Sequence, residues 1–257
     1  MNVTVCELPN EPALLEDAWA GLCAHARQMH SDLVVLPEMP FFPWLAHSRE
    51  VVQAQWRAAV AAHDAWMERF EALAPAVVTG SRPVVRDGLR LNAAYVVEPG
   101  GGARLVHAKR YLPDEPGFWE ASWYQRGDDG FHVLDTACGR IGFLICTELW
   151  FSRHARDYAA QGVQILACPR ATPASSADKW VAGGRAAAVV SGAFCVSSNF
   201  AGTTAQGGSY AGRGWVVEPE EGGVLALTSA QAPFATVEID PAAADRAKRT
   251  YPRYVEG

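Results

Sequence analysis

Three apolar runs in this chain each lead into a side chain that can do acid–base or covalent chemistry. Leu33-Val34-Val35-Leu36-Pro37 runs into Glu38, Val106-His107-Ala108 into Lys109, and Ile141-Gly142-Phe143-Leu144-Ile145 into Cys146. A reactive residue at the C-terminal mouth of a buried strand lies where α/β proteins gather their active sites. Cys146-Thr147-Glu148-Leu149-Trp150 predicts a helix beginning at the cysteine, whose N-terminus favours a thiolate, and the following N–H, that of Thr147, can face an oxyanion. A cysteine nucleophile needs a base, and here a carboxylate can supply it in place of histidine. Each residue also has a plainer reading: Glu38 as a helix cap or surface acid, Lys109 as a solvated cation, Cys146 as a structural thiol. Cys168, after the apolar run 163–167, stands in a similar position and is the rival nucleophile.

Other chemistries find less support. The seven histidines form no His-Glu-x-x-His pair, and His25 and His30 do not fall on one helix face, so no metal site is expected. Gly207 to Gly214 is glycine-rich but has neither dinucleotide nor P-loop spacing. Ser175-Ser176 with Lys179 resembles the Ser-Ser-Lys amidases only superficially, since their glycine-serine-rich core is absent. With 22 basic against 28 acidic side chains the formal net charge is −6, and no basic cluster could track a nucleic-acid backbone.

A composition of 49% hydrophobic and 19% charged residues excludes a disordered chain and supplies a large core. The six cysteines are scattered without a Cys-x-x-Cys pair, which predicts reduced thiols and a cytoplasmic protein. The first residues lack a basic signal-like segment. The most apolar stretch, Ala186 to Val196, is interrupted by Ser191 and Gly192 and is too short to span a membrane.

The elements that must position these residues alternate along the chain. Helices are predicted over Pro12–His30, with Leu15, Trp19, Leu22, Cys23 and Ala26 at helical spacing, and over Arg49–Leu73. Strands are predicted at 3–6, 33–36, 77–81, 91–98, 104–108, 131–134, 139–145, 163–168, 194–198, 214–218, 224–227 and 234–239. So many strands with so few helices fit sheets packed face to face under outer helices. No linker or repeat divides the sequence, so residues 1–257 read as a single domain.

Taken together, Leu-Pro-Glu38, Lys109 with Leu112-Pro113, and Ile145-Cys146-Thr147-Glu148 resemble the nitrilase superfamily of carbon–nitrogen hydrolases in order and context. The resemblance extends over nearly the whole chain. Asn92-Ala93-Ala94-Tyr95 is similar to the strand before the family lysine, and Glu120 falls where a second glutamate is usual, with Glu115 as rival. Arg185 to Asn199 and Glu238 to Arg253 match later segments.

The resemblance implies an α/β fold, a four-layer α-β-β-α sandwich, pairing as a homodimer or higher homo-oligomer and needing neither metal nor organic cofactor. It implies Glu38 as general base on Cys146, Lys109 and the Thr147 N–H as oxyanion stabilisers, and Glu120 as a residue that positions substrate or lysine and assists proton transfer. The expected partner is a small amide, with neither nucleic acid nor membrane.

Departures from the family pattern include Tyr111, where many members carry His, and Gly214-Trp215 in place of Gly-Ser. Cys-Thr-Glu instead of the Cys-Trp-Glu of true nitrilases, with no long extension after Tyr251, favours an amidase or N-carbamoyl hydrolase over a nitrile hydrolase. Phe42, Trp44, Trp119 and Trp150, close in sequence to site residues, would form an aromatic wall for the acyl group, or else pack the core or an interface. Glu148 is a further candidate to touch substrate. Arg170 would pair with a substrate carboxylate, its plainer reading being a surface salt bridge.

Overall fold

The computed structural model describes residues 1–128, 130–203 and 207–255. The first half of the chain runs β1 (Asn2–Pro9), α1 (Pro12–Gln28), β2 (Leu33–Glu38), α2 (Gln53–Met67), β3 (Val77–Arg86), β4 (Leu89–Val97), β5 (Arg104–Ala108) and the short α3 (Glu120–Trp123). Then follow β6 (Leu134–Thr136), β7 (Gly139–Phe143), α4 (Ser152–Ala160), β8 (Ile165–Ala167) and α5 (Ala177–Ser191). The chain ends with β9 (Phe194–Ser197), β10 (Asn199–Thr203), β11 (Ser209–Ala211), β12 (Trp215–Val217), β13 (Val224–Leu227), β14 (Phe234–Glu238) and α6 (Pro241–Ala247).

The strands form two sheets. One has the order β11-β10-β1-β2-β3-β4-β5, with β14 also pairing on β1; the other has the order β13-β12-β9-β8-β7-β6. Four adjacent strands run parallel in the first sheet, β10-β1-β2-β3, and three in the second, β7-β8-β9, and antiparallel neighbours extend both runs. Side-chain alternation explains the layering, because successive residues of a strand face opposite sides. Val3 and Val5 of β1 and Leu33 and Val35 of β2 point into a core shared with Ile141, Ile165 and Val196 of the second sheet. Cys6, Leu8, Val34 and Leu36 point the other way, onto Leu15, Trp19 and Leu22 of α1. Because both faces are covered, these strands carry apolar residues on both. With α1 and α2 on the first sheet and α4 and α5 on the second, the architecture is an α-β-β-α sandwich. No helix among the described residues is long and apolar enough to cross a membrane.

Several expected boundaries move. The helix expected over Arg49–Leu73 is α-helical only over Gln53–Met67 and tightens to a 3-10 helix over Glu68–Leu73, where Phe70 and Leu73 turn into the core around Trp19. Its first residues are drawn away, with Arg49 stacked 3.9 Å over Trp119 and the Ser48 carbonyl accepting from Trp123 Nε1 at 2.6 Å. The expected strand at 131–134 gives way because Phe131 stacks on His154 with ring centroids 3.6 Å apart, and pairing begins at Leu134.

Two strands, β10 and β11, were not expected. They arise where the chain leaves the second sheet at β9 and enters the first as β10. At that crossing Ser198 Oγ accepts from Cys6 N at 2.8 Å and donates to the Val35 carbonyl at 2.6 Å, fastening the two sheets together.

Close packing of α5 on the second sheet depends on Gly184, where an added Cβ would lie 2.6 Å from the buried Trp215 indole. Arg170 occupies the indole's face at 3.8 Å, leaving it little room to withdraw. In an exposed helix a Gly→Ala change gains ~1 kcal/mol. Here Gly184→Ala is expected to lower stability by about 1–3 kcal/mol, read as a reduced urea midpoint; a gain in midpoint would show that this contact does not restrict the helix.

Candidate active site

The two sheets present their reactive residues at neighbouring strand ends. Glu38 is the last residue of β2, Lys109 follows β5 directly, and Cys146 lies three residues beyond β7. The segment after β8 ties the first and third together: Glu38 N donates to the Arg170 carbonyl at 3.2 Å, and Cys146 N donates to the Pro169 carbonyl at 3.0 Å. Lys109 N is held by the Asn92 carbonyl at 2.8 Å. Cys146 has φ +48°, a left-handed conformation that costs a non-glycine residue energy and that recurs where a nucleophile is held on a sharp turn. The helix expected to start at the cysteine is a 3-10 turn, Cys146–Trp150, with α4 beginning only at Ser152.

Lys109, Glu38 and Glu120 are all buried. The Lys109 ammonium donates to Glu38 Oε1 at 2.7 Å and to Glu120 Oε2 at 2.6 Å. Asn92 Nδ2 adds a second bond to Glu38 Oε1 at 2.7 Å, and the Tyr124 hydroxyl donates to Glu120 Oε2. Glu38 Oε2 is buried with no hydrogen-bond partner among the described residues. An acceptor left open in this way is suited to receive a proton from a neighbouring group.

One cation and two carboxylates out of water leave an excess negative charge, which burial penalises. The penalty falls on Glu120: burial pushes its carboxyl up, Lys109 pulls it back, Glu38 pushes again, and the result is about 7. Burial opposes the Lys109 charge, but the carboxylates of Glu120 and Glu38 outweigh it and hold the ammonium above the usual lysine range. The Cys146 thiol is pushed well up by burial and then by Glu38, against the pull of Lys109. At neutral pH it is therefore a thiol and needs a base.

Glu148 does not line the cavity in front of Cys146; it braces the turn from behind. Its Oε2 accepts from Ile145 N at 2.8 Å, beside Cys146, and its Oε1 accepts from Arg110 N at 2.7 Å, beside Lys109. His107 Nε2 also meets Oε2 at 2.8 Å, while its Nδ1 faces the Gly130 carbonyl at 2.9 Å. Thr147 lies in the first turn of the 3-10 helix, where leading N–H groups have no acceptor within the helix.

A cavity of about 510 Å³, within the range of small-molecule sites, opens onto Cys146, Thr147 and Glu120. Of the expected aromatic wall only Trp150 lines it, joined by Trp180 at a ring-centroid distance of 5.0 Å. Trp44 lines an adjacent pocket, Phe42 packs with Met39 and Leu45, and Trp119 lies under Arg49. Arg170 meets neither of its expectations. It is buried, bonded to Ser197 Oγ at 2.7 Å, Thr172 Oγ1 at 2.9 Å and the Arg213 carbonyl at 2.7 Å, and it is not among the residues lining the cavity. Burial draws its pKa down to about 10. Cys168 is buried outside the cavity, its N–H committed to the Val196 carbonyl at 2.8 Å.

Sequence reasoning missed Tyr124 and Trp180. Tyr124 carries a signal in hindsight, four residues after Glu120 and able to turn back onto it. Trp180 lies far along the chain and carries none.

The match of 87 residues, 34% of this chain, to N-carbamoylputrescine amidase of Solanum tuberosum is 33% identical and covers 29% of that protein. Another, of 90 residues and 34% of the chain, is 36% identical to citrullinase of Francisella tularensis and covers 30% of it. These alignments thus span under a third of the curated relatives' length. Among solved structures, a carbon–nitrogen hydrolase from Helicobacter pylori G27 superposes with a TM-score of 0.87 at 25% identity, over 98% of this chain and 94% of that one. The carbon–nitrogen hydrolase family profile matches residues 9–249, a span that takes in Glu38, Lys109, Glu120 and Cys146, and the chain belongs to that family.

Proposed function

We propose that this protein hydrolyses the C–N bond of a small linear amide through a cysteine thioester. The observation that carries the reading is the open, buried Oε2 of Glu38, whose charge bears directly on the buried Cys146 thiol. Glu38 takes the thiol proton as sulfur attacks the carbonyl carbon. The oxygen becomes an oxyanion held by the Lys109 ammonium and the Thr147 N–H. The C–N bond then breaks, and ammonia or an amine leaves with the proton returned from Glu38. Water, deprotonated by the same carboxylate, attacks the thioester and releases the acid and the thiol. Glu120 fixes Lys109 and presents its carboxyl to the cavity.

A second reading, hydrolysis of an N-carbamoyl group by the same residues, is favoured by the names of the two partial relatives, an N-carbamoylputrescine amidase and a citrullinase. A cytoplasmic setting is part of the proposal, supported by six cysteines that are all unpaired and buried.

Ammonia release from matched amides, N-carbamoyl compounds and nitriles tests the reaction class. Cys146→Ala is expected to abolish release while keeping the wild-type circular-dichroism spectrum, and Glu38→Gln to lower kcat by about 10²–10⁴-fold. Activity surviving in Cys146→Ala would refute the thioester route, and faster turnover of nitriles than of the matched amides would reverse the substrate order.

The pH profile tests Glu120. Below about pH 7 its carboxyl gains a proton and Lys109 loses one of its two counter-charges. The ionised form is therefore the competent one, and kcat/KM is expected to rise through a limb near pH 7 that disappears in Glu120→Gln. An unchanged limb in that variant would assign the titration elsewhere.

A further inference from the structure

The cavity carries charges that bond cleavage does not use. Lys179, from the first turns of α5, lines it with its ammonium 5.4 Å from the centroid of the Trp150 ring and makes no ion pair among the described residues. Asp114 and Glu115, from the segment after β5, line it as well. Asp114 is engaged by Arg49 at 3.4 Å, whereas the Glu115 carboxylate has no cationic partner among the described residues. The walls thus offer one solvent-exposed cation and one solvent-exposed anion with no ionic partner among the described residues, on different elements, beside the two indoles. An apolar stem packs well on indole faces, and a cation seated on one keeps its capacity to bind an anion.

We propose, building on the hydrolase reading, that the substrate is a short ω-amide or ω-ureide of an α-amino acid. Its reacting carbonyl lies at Cys146, its methylene stem lies along Trp150 and Trp180, its carboxylate meets Lys179 and its ammonium meets Glu115. Lys179 thereby takes the carboxylate-binding role that Arg170, buried on Trp215, does not fill.

The test uses four ureides that differ only in their distal charges: citrulline, 5-ureidopentanoate without the ammonium, N-carbamoylputrescine without the carboxylate, and butylurea with neither. Glutamine, glutaramate, 4-aminobutanamide and butanamide form the matching amide series. In one of the two series, kcat/KM is expected to be highest for the amino acid. Lys179→Met, which keeps the stem and removes the charge, is expected to lower the ratio of kcat/KM for carboxylate-bearing over carboxylate-free members by roughly tenfold, mainly through KM. Lys179→Arg is expected to restore that ratio, and Glu115→Gln to lower the corresponding ratio for ammonium-bearing members. Cys146-dependent turnover in which the neutral members equal or exceed the charged ones would leave the hydrolase reading standing and overturn this one. A preference for the amine or the acid over the amino acid would do the same. Failure of every member of both series to release ammonia would count against the hydrolase reading itself and remove this proposal with it.

Discussion

The Lys109 ammonium, out of water between Glu38 and Glu120, is the interaction on which the rest of the site depends. A buried cation is tolerable only with counter-charges at hydrogen-bonding distance, and each counter-charge needs its own support. That requirement brings in Asn92 on Glu38 and Tyr124 on Glu120, so that β2, β4, the residue after β5 and α3 meet at one point. It also shapes the acid–base behaviour. Two carboxylates and one ammonium cannot all stay ionised in a dry site without strain, and Glu120, held near 7, is where the excess charge is relieved.

Around this centre the backbone is fixed from outside. Glu148 links the peptide groups next to Cys146 and Lys109 through one carboxylate, and the Pro169–Arg170 carbonyls hold Cys146 and Glu38 from the other side. Arg170 contributes through these backbone bonds and through its stack on Trp215, which also limits how α5 can approach through Gly184. The geometry of the candidate site and core packing therefore share residues, and Ser198 joins the two sheets that supply them.

What could be read from the sequence was whatever depends on short-range pattern. Apolar runs such as 33–36 and 141–145 announce buried strands, and a polar residue at the end of each run announces a mouth, which is how Glu38 and Cys146 stood out. β10 and β11 gave no such signal: Asn199–Thr203 and Ser209–Ala211 are short and polar in part, the first drawn into the sheet by β1 and the second by β10. Nearness in sequence misled where direction decides contact. Trp119 and Glu120 are adjacent, yet one lies under Arg49 and the other meets Lys109. Phe42 and Trp44 follow Glu38 but turn into local packing, whereas Trp180 and Lys179 reach the cavity from a distant helix. Such placements follow from tertiary crossings that no local spacing encodes.

The burial of Cys146 also bears on its durability. Reactive thiolates are targets for peroxide and for disulfide exchange, and their susceptibility follows their anionic character and exposure. Cys146 is buried and keeps its proton at rest, so it has little of either. On the proposed mechanism, the same burial that makes Glu38 necessary to deprotonate Cys146 also lowers the susceptibility of the sulfur to oxidants between turnovers.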